Sequence, residues 1–252
     1  MYSNNFYRFF CALIFSVSAI SSAQEVEVMV RAQAGDAKFI GSSIGGAKIL
    51  IKDALTNEIL AEGITKGSTG NTEKIMKQAQ IRGKRITDDQ TAGFNAKVQI
   101  AEPRFVTIEA HAPWNKKQAR VKSSTQLWLL PGKDITGEGI ILKIPGFVVD
   151  IVTPQTHQSY SSSEIKFQAN IVMMCGCPIT KGGLWDANQY EVNAILKSAN
   201  MDTKTVKMEQ EGGSSNFAGK ANLEKGSYEL IIQAFDPVTG NTGVDRTNFM
   251  VN

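Results

Sequence analysis

The sequence predicts an all-β protein made of two tandem antiparallel β-sandwiches, and three observations predict it. Apolar and polar residues alternate over many short runs, which is the period of a half-buried strand. Glycine and proline punctuate those runs at short intervals. Helical periodicity is almost wholly missing beyond Ala23.

Taken in order, residues 1–23 place Arg8 before the apolar run 9–15 and close on Ser21-Ser22-Ala23. That is the layout of a Sec-type bacterial signal peptide, with cleavage expected after Ala23 and a periplasmic or extracellular destination. The apolar run is too short to span a bilayer, and no later segment comes near the roughly 20 apolar residues that spanning requires, so the protein is expected not to be membrane-spanning. Cys11 precedes most of the apolar run, which is the wrong place for a lipid-bearing cysteine. Its removal would leave Cys175 and Cys177 as the remaining cysteines.

The first sandwich is expected over residues 24–145. Val26, Val28 and Val30 alternate with Glu25, Glu27 and Met29, and Phe94, Ala96, Val98 and Ile100 with Asn95, Lys97 and Gln99. Further strands are expected at 47–52, 105–110, 121–130 and 139–144, separated by Gly45-Gly46, Pro103, Pro131-Gly132 and Pro145-Gly146. The second sandwich, 146–252, repeats the pattern with strands at 147–152, 165–175, 190–197, 205–208, 217–221, 228–235 and 247–251. Pro145-Gly146 leaves almost no linker, so the halves are expected to pack end to end.

The stretch Gly226-Ser227-Tyr228-Glu229-Leu230-Ile231-Ile232-Gln233-Ala234-Phe235-Asp236, then Gly240-Asn241 and Phe249-Met250-Val251, resembles the last strands of bacterial immunoglobulin-like domains. The resemblance implies that the Tyr228 hydroxyl closes a corner of the sandwich on an upstream backbone group. Residues 46–53, Gly46-Ala47-Lys48-Ile49-Leu50-Ile51-Lys52-Asp53, followed by 59–65, resemble the transthyretin-like, carboxypeptidase-regulatory sandwich. Both resemblances imply a binding or scaffolding module and name no ligand.

Charge and composition narrow the function classes. With 27 basic and 24 acidic residues among 252, the formal charge of +3 gives no field suited to nucleic acid. Residues 66–93 form a long polar insertion carrying Lys74, Lys77, Arg82, Lys84 and Arg85, with a short helix expected near 72–80. Such an insertion is a solvated excursion or a contact surface, and as a contact surface it suits an acidic partner.

Catalytic signals are few. His111 and His157 stand in no metal-binding or catalytic spacing. Gly41-Ser42-Ser43-Ile44-Gly45 matches a nucleophile elbow in pattern, but a strand-like run follows where the elbow needs a helix, so a glycine-rich turn is expected instead. Asp236, Asn241 and Asp245 could offer oxygens to calcium, yet their spacing fits a hairpin connection better. Among the tryptophans, Trp128 is expected in the core and Trp185 on a flexible loop, either as an exposed contact or as a satellite of the core.

One segment concentrates chemistry: Met173-Met174-Cys175-Gly176-Cys177-Pro178. Cys175 and Cys177 admit a disulfide closing a very small loop. They also admit a copper(I) site helped by Met173 and His157, a thiol pair exchanging disulfides with clients, or free buried thiols. The sequence therefore points to a non-enzymatic exported binding module with no cofactor expected, its partner another exported or envelope protein. Its contacts are expected from the basic insertion and from the loop bearing Lys181, Trp185 and Asp186. A periplasmic copper-binding protein is the alternative.

Overall fold

The computed structural model describes residues 22–198 and 201–252, so the expected leader lies outside the described residues except for Ser22 and Ala23. Among the described residues no helix is long and apolar enough to cross a membrane. The first half contributes β1 (Gln24–Ala34), β2 (Lys48–Asp53), β3 (Ile59–Ile64), β4 (Phe94–Ile100), β5 (Arg104–Ala112), β6 (Val121–Leu129) and β7 (Ile135–Ile144). They form one sheet ordered β4-β1-β7 and another ordered β3-β2-β5-β6. Alternation sets the faces: Val26, Val28 and Val30 of β1 meet Val106, Ile108 and Ala110 of β5 in the fully buried layer between the sheets.

The second half contributes β8 (Phe147–Thr153), β9 (Gln158–Tyr160), β10 (Glu164–Met173), β11 (Glu191–Ser198), β12 (Met201–Lys207), β13 (Glu209–Gln210), β14 (Asn216–Asn222), β15 (Gly226–Phe235) and β16 (Thr242–Val251). Its sheets are ordered β13-β14-β10-β8 and β12-β11-β15-β16-β9. In chain order this is an immunoglobulin-like arrangement: the first, third, sixth and seventh strands of this half (β8, β10, β13 and β14) on one sheet and β9, β11, β12, β15 and β16 on the other. Tyr228 enters at the start of β15, is almost fully buried, and donates its hydroxyl to Glu224 O at 2.8 Å, stacking on Phe249 with ring centroids 5.4 Å apart.

Two pairings correct the purely antiparallel expectation. β7 runs parallel to β1, and β9 runs parallel to β16. Only strands joined by a hairpin are bound to be antiparallel. β7 follows β6 of the opposite sheet, and β9 follows β8 of the opposite sheet, so each reaches its neighbour by crossing over. β16 also starts five residues before the expected 247, because Thr242 to Arg246 pair with β15 although Thr242, Gly243, Asp245 and Arg246 read as a turn.

The junction at Pro145-Gly146 is tied by backbone. Gly35 N donates to Ile144 O at 2.8 Å, Gly146 N donates to Asn241 Oδ1 at 2.8 Å, and Asn241 Nδ2 donates to Gly35 O at 3.2 Å. A Cβ on Gly35 would stand 2.8 Å from Asn241 Oδ1, so this approach requires glycine. Lys116 Nζ adds an ion pair to Asp150 at 2.6 Å. Asp36 sits beside this junction, and its carboxyl is pushed above its ordinary value by burial and by the neighbouring Asp236 charge.

Removing the corner hydroxyl with Tyr228→Phe should lower stability by about 1 kcal/mol, read as a fall of about 2–4 °C in thermal unfolding followed by circular dichroism. Asp36→Asn tests the junction electrostatics. A carboxyl raised in the folded state binds its proton more tightly there, so its ionised form opposes folding at neutral pH and the penalty fades as pH falls toward the ordinary value of 3.8. The substitution should therefore raise the unfolding midpoint by about 1–2 °C at pH 7, and the gain should disappear near pH 4.

Candidate functional site

The polar insertion is built into the first sandwich by one buried cation. Arg31 lies on the outward face of β1, yet it is 3% exposed because residues 66–93 fold across it. Its Nη1 donates to Ala92 O at 3.0 Å and to Thr91 O, its Nε to Glu138 O at 3.2 Å, and its Nη2 to Gly137 O at 3.4 Å. Burial, then the nearby Arg85 charge, pushes the guanidinium below its ordinary value. Carbonyl dipoles from both flanking segments satisfy the charge.

The carbonyls of Gly137 and Glu138 reach Arg31 because β7 bulges. Val28 pairs with Ile135 and Val30 with Ile140, so residues 136–139 loop out of register. Gly137 and Gly139 take φ of 71° and 70°, and a Cβ on Gly139 would lie 2.3 Å from Met29 O. The Gly-Glu-Gly sequence is what permits the bulge. Its glutamate then grips the insertion: Glu138 accepts from Ile86 N at 3.2 Å, Thr87 N at 3.4 Å and Thr87 Oγ1 at 2.7 Å, with Arg85 Nε at 3.8 Å.

The expected helix within the insertion is one π turn, Glu73–Lys77, held by buried Ile75. The five expected cations divide. Lys77 pairs with Glu73 at 3.1 Å and Arg85 with Glu138. The Lys74 charge helps to hold the Asp88 carboxyl below its ordinary value, after the Thr91 hydroxyl and nearby backbone N–H groups. Arg82 and Lys84 are exposed and have no carboxylate partner among the described residues.

Between the insertion and the sheet runs a cleft of about 470 Å³, lined by Ile81, Arg82, Lys84 and Ile86 on one wall and by Gln33, Glu138, Ile141 and Lys143 on the other. Lys143 sits beside Gln33, to whose side-chain oxygen it donates a close hydrogen bond. Gln33 is 4% exposed and is fixed by its own Nε2 donating to Ala37 O at 3.1 Å. Partial burial pushes the Lys143 ammonium below its ordinary value. Sequence reasoning passed over Lys143 and Gln33, since neither belongs to the insertion; only the pairing Gln33↔Lys143 brings them under it.

In the loop expected to bind through Lys181, Trp185 and Asp186, the expectation of an exposed Trp185 is corrected. Trp185 is 6% exposed, packed in the core that joins the halves, and its Nε1 donates to Asp36 O at 2.8 Å. Asp186 caps the short turn Ala187–Gln189, accepting from Asn188 N and Gly182 N, each at 3.0 Å. These backbone donors hold its carboxyl below its ordinary value. Of the loop, Lys181 and Leu184 face solvent. Trp128, expected in the core, is instead 60% exposed on the outer face of β6, its ring tilted against Phe105 with centroids 5.1 Å apart. Its parity with Lys122, Ser124 and Gln126 was the available signal.

The sulfur cluster lies at the opposite end of the second sandwich from His157. Met173 pairs with Phe147 at the start of β8, whereas His157 follows the end of β8 and donates its backbone N–H to Asn248 O at 2.7 Å. Cys175 and Cys177 stand at disulfide distance and are both buried, and Met173 Sδ lies 4.0 Å from the Tyr190 hydroxyl. That hydroxyl's pKa is pushed up to about 12 by burial and then by the Asp236, Asp36 and Asp186 charges. The donors of a copper site are thus split, and among the described residues no three His, Cys, Asp or Glu side chains gather as metal ligands would. Ser43 lies in the short turn Ser42–Ile44, which leads into β2.

No protein-family model matches the chain. No curated protein matches it either. Solved structures that align with it include fibronectin(III)-like modules of Clostridium thermocellum CbhA, with 12% identity, 91% of this chain and 94% of that chain covered, and a TM-score of 0.28. A marsupial T cell receptor aligns at 8% identity, covering 91% and 73%, with a TM-score of 0.30. The titin z1z2 domains in complex with telethonin align at 10% identity, covering 92% and 96%, with a TM-score of 0.24. At such scores the description of the fold rests on strand order.

Arg31→Met should strand the four carbonyls and destabilise the protein by about 3 kcal/mol. Hydrogen exchange should rise first at the amides of residues 86–92, ahead of the β1 and β5 core amides; uniform protection would contradict the role given to Arg31.

Proposed function

We propose that this chain is a non-enzymatic, exported binding module, a transthyretin-like sandwich over residues 24–145 followed by an immunoglobulin-like sandwich over 146–252, whose contact surface is the basic insertion. The observation that carries the reading is the state of the insertion. It is held in place by Arg31 and Glu138, yet it leaves Arg82 and Lys84 without acidic partners among the described residues. Cations displayed on an anchored segment lose little side-chain and loop entropy on binding, which favours association with an acidic surface. The partner is another exported or envelope protein, and the Sec-type leader delivers the chain to the periplasm or beyond.

The strand order β4-β1-β7 over β3-β2-β5-β6 supports the transthyretin-like assignment of the first half. A copper(I) role for Cys175 and Cys177 would need the pair reduced and exposed; anaerobic copper(I) titration with Cys175→Ser/Cys177→Ser as control decides it, and equal affinities remove it.

Replacing Lys74, Lys77, Arg82 and Lys84 together by glutamine should abolish capture of the native partner from an envelope extract while leaving the melting temperature unchanged. Arg85 is kept because it braces Glu138. Capture undiminished by the four substitutions would refute the insertion as the contact surface. Intact mass of the exported protein should show loss of residues 1–23.

A further inference from the structure

We propose that the cleft beneath the insertion takes a short extended peptide in which acidic side chains alternate with aliphatic ones. The inference rests on the binding-module reading and names the ligand class for that site.

Two features of the cleft meet in such a peptide. Three cations, Arg82 and Lys84 from the insertion and Lys143 from β7, line a single cleft and have no carboxylate partner among the described residues. The one acid in the cleft, Glu138, is already taken up by Ile86 N, Thr87 N, Thr87 Oγ1 and Arg85. The cleft therefore carries uncompensated positive charge facing an opening of about 470 Å³, within the size range of ligand clefts. Between the cations lie Ile81, Ile86 and Ile141, with Ile81 56% exposed. Exposed isoleucine beside unpaired cations calls for a ligand that offers both carboxylates and aliphatic groups.

The alternatives fit less well. No aromatic side chain lines the cleft, so a nucleobase has nothing to stack on. The cleft is open to solvent, as the exposure of Ile81 shows, whereas a free fatty-acid chain needs enclosure to hide its tail. An extended peptide keeps its backbone in water and presents side chains at short regular intervals, so closely spaced carboxylates and aliphatic groups can meet walls that each carry both cations and isoleucine. Lys143 is a positioned cation in this scheme: Gln33, clamped to Ala37 O, directs the ammonium and does not compete for its charge.

Fluorescence anisotropy with labelled hexapeptides tests this on the full exported chain. Glu-Leu-Glu-Leu-Glu-Leu should bind at least about tenfold tighter than either hexaglutamate or Gln-Leu-Gln-Leu-Gln-Leu, and more weakly as salt rises. Lys143→Gln should weaken it about fivefold, and Ile141→Ser by a similar factor, with unchanged circular dichroism melts. Equal affinity for hexaglutamate and the alternating peptide, or indifference to Lys143→Gln and Ile141→Ser, overturns the cleft as the site. In that case the four-glutamine insertion variant still decides separately whether the insertion is a contact surface. Displacement of the alternating peptide by decanoate at equal concentration would replace the peptide with an amphiphilic anion and also overturn the proposal. Absence of binding by all three peptides at about 1 mM overturns it outright.

Discussion

A guanidinium removed from water and hydrogen-bonded only to backbone carbonyls is the constraint on which the working surface of this protein depends. Arg31 is satisfied by carbonyl dipoles drawn from two places far apart in sequence, the end of the insertion at Thr91 and Ala92 and the bulge of β7 at Gly137 and Glu138. A buried charge tolerates no missing partner, so both segments must be in place at once. The insertion is thereby part of the first sandwich, and the cleft between it and β7 has defined walls. Charged residues that a loop would otherwise wave in solvent become a fixed pattern.

The second constraint is the junction. Buried apolar residues of both sandwiches belong to one continuous cluster, running from Ala34 and Ile44 through Phe147 and Met174 to Trp185. Asn241 bonds to both sides of Pro145-Gly146, and Trp185 reaches across to Asp36. The tiny ring closed by Cys175 and Cys177 sits in the same region, where Gly176 lies against Ile44 of the first half. The sulfur-rich turn therefore packs between the halves, with Cys175 and Cys177 at disulfide distance. Residues that looked chemically reactive are used to make one core out of two.

How far the site could be read in advance differs residue by residue. The corner tyrosine was legible because its role is local: Tyr228 reaches only four residues back to Glu224. The insertion was legible as an interruption of alternation, and its cations as a cluster. Trp128 was misplaced although the parity of β6 put it among Lys122, Ser124 and Gln126, so the period held the answer and the weight given to tryptophan as a core residue overrode it. Trp185 was misplaced for a different reason. Its neighbours Lys181, Gly182 and Gly183 have every local mark of an exposed loop, and its burial comes from Asp36, 149 positions away.

The sequence by itself determined the longer strands, the alternation of their faces, most turn positions and the all-β class, because each of these follows from a period of two and from the conformational preferences of glycine and proline, which act between near neighbours. Tertiary structure alone decided that β7 lies parallel to β1, that Gln33 and Lys143 meet beneath the insertion, that Gly176 of the sulfur-rich turn lies against Ile44 of the first half, and which tryptophan is hidden. These depend on contacts between segments a hundred or more residues apart in several cases, where burial and hydrogen-bond satisfaction are settled by what the rest of the chain brings to the same place.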